Sequence, residues 1–235
     1  MPDGLTAHAD AHGAVHVHAH HPAHAHHFET MEQQQEAATL GMWIFLVTEV
    51  MFFGGLFMAY TLYRIWYPAA WSEGSEELDI VLGGLNTAVL IGSSLTMALA
   101  VRGAQTGASR KITVTWLLLT MALGLTFLIV KGFEYKHKYD LGHIPGPNFH
   151  FEGANADQVE IFISLYFAMT GLHALHMIIG LGLMTVITRM AWKGRFSPEW
   201  YTPVELSGLY WHFVDIVWIF LFPLLYLVDR AHQVV

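Results

Sequence analysis

Five apolar segments divide the chain, at about residues 40–66, 80–101, 112–133, 159–190 and 205–227, with polar, Gly- and Pro-punctuated stretches between them. A helix crossing a hydrocarbon core of about 30 Å needs about 20 predominantly apolar residues. Each segment meets that length, and the fourth, at 1.5 Å per residue, would reach about 48 Å and must tilt or project beyond the lipid. The pattern predicts an all-α fold: a polytopic membrane helix bundle with five transmembrane helices across residues 39–230. Residues 1–38 lack such a segment and predict a His-rich, disordered head.

The polar positions inside the spans carry the chemical information, because an ionisable group at mid-membrane is costly and normally faces protein or water. The first span contains Glu49 and the third ends in KGFEY, with Lys131 and Glu134 three residues apart on one face. His173 and His176 share a face of the fourth span, among Gly171, Gly180 and Gly182, which would let a neighbour approach closely. In the fifth span Glu205, Gly208, His212, Asp215 and Ile219 recur at helical spacing, so its polar groups form one stripe. Glu49 reads as a paired structural carboxyl, or as a group handling protons or ordering lipid headgroups. Lys131 and Glu134 read as a structural pair, or as side chains reaching toward the interface. Trp66, Tyr67 and Trp71, and later Trp200 and Tyr201, suggest interfacial belts, and Pro68 should end the first helix.

Composition narrows the classes. Hydrophobic residues make up 54% and charged residues 13% of 235, as expected of an integral membrane protein. The absence of cysteine excludes disulfides and thiolate-bound zinc or iron–sulfur. The net charge of −8 offers no basic patch for nucleic acid. The head has no apolar signal-peptide core, so the first span would serve as the targeting signal. Its histidines (His8, His12, His16, His18, His20, His21, His24, His26 and His27) could capture Cu or Zn weakly or buffer protons, against a plain solvated tail.

Spacing bears on three functional classes. Di-iron bundles use Glu-x-x-His motifs, and none occurs here; HALH and HFVD have the wrong composition. Haem ligation by His173 or His176 with His212 is weakened because two neighbours on one face cannot be opposite axial ligands. Transporters with a midplane site usually show internal repeats and broken helices, and neither is visible. Spacing favours a non-catalytic membrane scaffold.

Five segments then carry a resemblance: GMWIFLVTEVMFFGGLFMAY, LNTAVLIGSSLTMALA, KGFEY, FAMTGLHALHMIIG and LYWHFVDIVWIFLFPLLYL. In this order they resemble subunit III of the haem–copper terminal oxidases, over about residues 39–228. The resemblance implies a helical bundle docked against catalytic subunit I, with subunit II nearby, and no haem, copper or catalytic centre of its own. It also implies bound phospholipid, support of proton delivery to subunit I, protection against inactivation during turnover, and guidance of oxygen. It singles out Glu49, Glu134, His173, His176, Trp211, His212 and Asp215, together with Trp218, and places Arg189 beside a family Arg associated with lipid phosphate. The mitochondrial form has seven spans with a lipid-filled cleft, whereas this chain has five, so helices of another subunit are expected to fill the corresponding space. Glu at position 49, within TEVMFF, resembles the cytochrome c branch, specifically a bacterial aa3-type oxidase. A quinol oxidase and a nitric oxide reductase accessory subunit are the alternatives.

Five spans put the termini on opposite sides. Arg102, Arg110, Lys111, Arg189, Lys193 and Arg195 fall on the side of the N-terminus, in two short loops; Arg64, Lys131, Lys136, Lys138 and Arg230 fall on the other. The positive-inside rule therefore places the N-terminus in the cytoplasm, and the resemblance to the shorter bacterial form implies a multi-pass protein of the bacterial inner membrane.

Overall fold

The computed structural model describes residues 5–9, 15–19, 28–147, 149–151 and 155–228. Six helices follow a short hairpin: α1 (Met31–Trp66), α2 (Pro68–Glu76), α3 (Ile80–Gln105), α4 (Arg110–Asp140), α5 (Ala156–Trp192) and α6 (Thr202–Tyr226). The hairpin pairs β1 (Leu5–Ala9) with β2 (Val15–Ala19) in antiparallel register, Leu5 opposite Ala19. His12, His20, His21, His24, His26 and His27 of the head lie outside the described residues. The five long helices all have the length and apolarity to cross a membrane, and the chain is a multi-pass helical membrane protein.

The helices overrun the apolar segments. Residues 31–38, assigned to the head on composition, already form the first turns of α1, and α4 continues seven residues past Phe133 to Asp140. Pro68 does not merely stop α1. It occupies the first turn of α2, where its missing N–H has no intrahelical partner to lose. The acidic stretch expected as a loop is therefore largely helical, and Asp79 caps the next helix by accepting from Val81 N–H at 2.8 Å and Leu82 N–H at 3.1 Å. At the far ends of α3 and α5, Gly107 (φ 66°) and Gly194 (φ 68°) take the left-handed conformation that closes a helix. There Ala108 N–H reaches Gly103 O at 2.9 Å, and Arg195 N–H reaches Met190 O at 3.2 Å.

Helices α3, α4, α5 and α6 form the body: α4 packs between α3 and α5, and α6 closes the ring against both. From residue 45 onward α1 lies at the margin, and Val47, Val50, Met51, Phe52, Met58 and Ile65 are exposed on it. Its inner face is fixed by Tyr60, whose hydroxyl donates to Leu224 O of α6, and by Phe53, packed on His176 and Phe213. Trp71, expected in an interfacial belt, is instead fully buried, stacked on Tyr63 and edge-on to Tyr60 and Phe162, while Trp66 is exposed. Outside the spans, Lys138 at the end of α4 is buried and donates to Glu77 O at 2.6 Å. His143 Nδ1 lies 3.3 Å from Glu77 Oε2; burial pushes the imidazole below its ordinary pKa, against the opposing pull of Glu77.

Candidate functional site

The polar groups of the spans gather into three separate clusters. The first joins α4, α5 and α6. Lys131 Nζ donates to Glu134 Oε2 at 3.0 Å, to Tyr166 Oη at 3.0 Å and to Tyr226 Oη at 2.8 Å. Both phenols then donate to Glu134 Oε1, at 2.7 Å from Tyr166 and 2.5 Å from Tyr226. An ammonium has three protons, and all three have acceptors. The network is electrically neutral and buried, with Lys131 3% and Glu134 8% exposed. Aromatic rings of Tyr135, Tyr166, Trp218 and Tyr226 lie 5.0–5.5 Å from the ammonium. Of the two sequence readings, the structure selects the buried pair and not a side chain reaching to the interface. Tyr166 and Tyr226 carry no signal in the sequence, since a tyrosine in an apolar span has no spacing signature of its own.

The second cluster joins α1, α5 and α6. His176 Nε2 sits 3.1 Å from Glu49 Oε2, and His176 Nδ1 sits 2.9 Å from Leu172 O. A carbonyl oxygen can only accept, so Nδ1 carries a proton. One further proton then lies between Nε2 and Glu49, either on the ring as an ion pair or on the carboxyl as a neutral pair. Tyr210 of α6 donates to His176 O at 3.0 Å, and Phe53 covers the imidazole at 5.3 Å. His173, three residues earlier, serves other neighbours. It is 1% exposed, packed against Phe127 and Trp218, and neither of its ring nitrogens has a hydrogen-bond partner among the described residues.

The third cluster lies between α3 and α6. Trp211 Nε1 donates to Ser93 Oγ at 2.9 Å and Trp218 Nε1 to Thr87 Oγ1 at 3.0 Å. At the adjoining residues, Ser94 Oγ and His212 Nδ1 are 2.7 Å apart. Asp215 is 2% exposed, and its carboxyl oxygens make no hydrogen bond of good geometry among the described residues. His212 thus ties α3 to α6, whereas Asp215 makes no such tie among the described residues. Glu205 lies in the first turn of α6, where the helix dipole favours an acid. Arg189 is exposed in the last turn of α5.

Trp211 also explains two glycines. A Cβ at Gly124 would lie 2.7 Å from its ring, and one at Gly180 would lie 3.0 Å from it, so the indole fills the contact between α4 and α5. Gly182, grouped with Gly180 on sequence, faces open space. Among the described residues no group of three His, Asp or Glu side chains converges as a metal site.

The chain is thus a polytopic membrane helix bundle in which Glu49, Glu134, His176 and His212 bridge helices. The profile of the family "Cytochrome c oxidase subunit III" matches residues 17–229. The chain belongs to that family. It is 36% identical over 209 residues to "Cytochrome c oxidase subunit 3" of Synechocystis sp., covering 87% of this chain and 79% of that protein. It is 30% identical over 219 residues to "Cytochrome bo(3) ubiquinol oxidase subunit 3" of Pseudomonas aeruginosa, covering 93% of each. It is 32% identical over 193 residues to "Heme-copper oxidase subunit I+III" of Aeropyrum pernix, covering 80% of this chain and 22% of that protein.

Proposed function

We propose that the chain is the non-catalytic subunit III of a bacterial aa3-type cytochrome c oxidase, docked to subunits I and II and supporting proton uptake by subunit I, lipid binding and complex stability. The observation that carries this reading is the continuous family match over residues 17–229. The Synechocystis relative, at the higher identity, carries the cytochrome c name, as does the family. The Aeropyrum protein named subunit I+III favours a place beside subunit I. A quinol oxidase is the second reading, favoured by the end-to-end match to the bo(3) subunit.

The inner membrane rests on the bacterial oxidase reading, and the cytoplasmic N-terminus on the positive-inside rule. Burial of Lys131 and Lys138 supports it, because two of the five opposing charges are engaged inside the protein and do not act as free loop charges. Helices of a neighbouring subunit would cover the exposed margin along α1. Haem and copper would reside in the partner subunits, with phospholipid against this chain.

In this reading the contact between Glu49 and His176 sets an acid and an imidazole side by side where α1 meets the bundle. Glu49→Gln should leave the initial oxygen consumption of the purified complex largely intact while slowing proton uptake and shortening its turnover lifetime severalfold. Stopped-flow pH indicator traces and progress curves with reduced cytochrome c as donor read both effects. If all three quantities stay at the wild-type value, Glu49 is structural only; oxidation of quinol but not of cytochrome c selects the second reading.

A further inference from the structure

None of the nine histidines between residues 8 and 27 enters the three bundle clusters described above. His8, His16 and His18 lie in the β1–β2 hairpin, and its register decides how they stand to one another. β1 reads Leu-Thr-Ala-His-Ala and β2 reads Val-His-Val-His-Ala, each alternating apolar and polar residues with the period of two that belongs to a strand. The antiparallel pairing keeps the two alternations in phase. His8 stands opposite His16 and Thr6 opposite His18, while Leu5, Ala7 and Ala9 stand opposite Ala19, Val17 and Val15. The three histidine positions therefore fall on one face of the ladder and the apolar positions on the other. A slip of one residue would set His8 opposite a valine and undo that grouping.

Directly opposed positions of an antiparallel pair have Cβ atoms about 4.5–5.5 Å apart, and diagonal ones about 7–8 Å. A metal–imidazole bond is about 2.0–2.1 Å long, so two histidines at opposed positions come within the span of a single ion. His18 is diagonal to His8 on the same face. Imidazole suits the borderline divalent cations, among which copper binds more tightly than zinc to a given ligand set. The chain has no cysteine, so no thiolate of its own competes for the ion.

We infer that the β1–β2 hairpin is a binding site for one divalent transition-metal cation, Cu(II) ahead of Zn(II), from the register that sets His8 opposite His16 with His18 on the same face. A site of two or three imidazoles without a thiolate is exchangeable: chelator strips the ion and added metal restores it. The inference concerns the hairpin alone and is independent of the subunit reading. It differs from capture by a loose histidine tract, in which any of the nine histidines would serve as well as another.

The test is a titration of the full-length chain, washed with EDTA in detergent, with Cu(II) against a competing chromophoric chelator, and electron paramagnetic resonance of the frozen samples. A single tightest Cu(II) should show nitrogen superhyperfine lines from at least two imidazoles, and Zn(II) should displace it only in excess. His8→Ala and His16→Ala should each weaken that ion at least about tenfold, the scale on which metal sites respond to loss of a supporting group. The double variant should lose little more, because either substitution opens the pair. His24→Ala with His26→Ala removes as many histidines outside the hairpin and should change the affinity by less than about twofold. None of the substituted residues belongs to the bundle clusters. Equal losses in the two double variants would show a loose tract and overturn the inference, as would unchanged copper uptake without His8 and His16.

Discussion

Lys131→Met should destabilise the protein by about 3–5 kcal/mol, the range for removing one partner of a buried ion pair. The loss is expected to be large because Glu134 is left 8% exposed without its counter-ion, and two phenols lose the donor they share. Both side chains are almost fully buried, so solvent screening does not soften the effect. Replacing both partners, as Lys131→Met with Glu134→Leu, removes the unpaired charge and should recover most of that stability, since an apolar pair of similar volume avoids the desolvation cost. Chemical or thermal unfolding in detergent, followed by tryptophan fluorescence, measures both. Equal losses in the single and double variants would show that the pair itself, and not the stranded charge, sets the stability.

Trp211→Ala should cost a similar amount, about 3–5 kcal/mol, as large core truncations do. The indole is fully buried, fills the space left by Gly124 and Gly180, and satisfies Ser93. In lipid the helices lack a hydrophobic drive to associate, so this close packing carries more of the specificity. Trp192→Ala is the matched control: Trp192 is 67% exposed and should change stability by less than about 0.5 kcal/mol. A Trp211→Ala variant as stable as the control would mean that α4 and α5 are held together elsewhere.

The five-helix architecture was legible because hydropathy and length are local properties, readable one segment at a time. The polar clusters were legible only in part. Glu49, Glu134, His176 and His212 could be found as ionisable or imidazole groups in apolar spans, but their partners lie far along the chain. Glu49 meets His176, 127 residues away; Ser94 meets His212, 118 away; Lys131 meets Tyr226, 95 away. Only the packing of helices decides those pairings. The same limit explains Trp71, whose position after Pro68 imitates an interfacial anchor although α2 folds back and buries it. It also explains Asp215, which sequence spacing groups with His212 but which finds no comparable partner among the described residues.

The subunit assignment follows from the family match, and its most direct test is an affinity tag on this chain in its native membrane. The reading requires that the tagged chain bring down a complex whose optical spectrum shows haem, whose metal content includes copper, and which consumes oxygen with reduced cytochrome c. It further requires that this chain, once separated from its partners, be free of both haem and stoichiometric metal. A chain that purifies alone with bound haem or iron, or in a complex without oxygen-reducing activity, would contradict it.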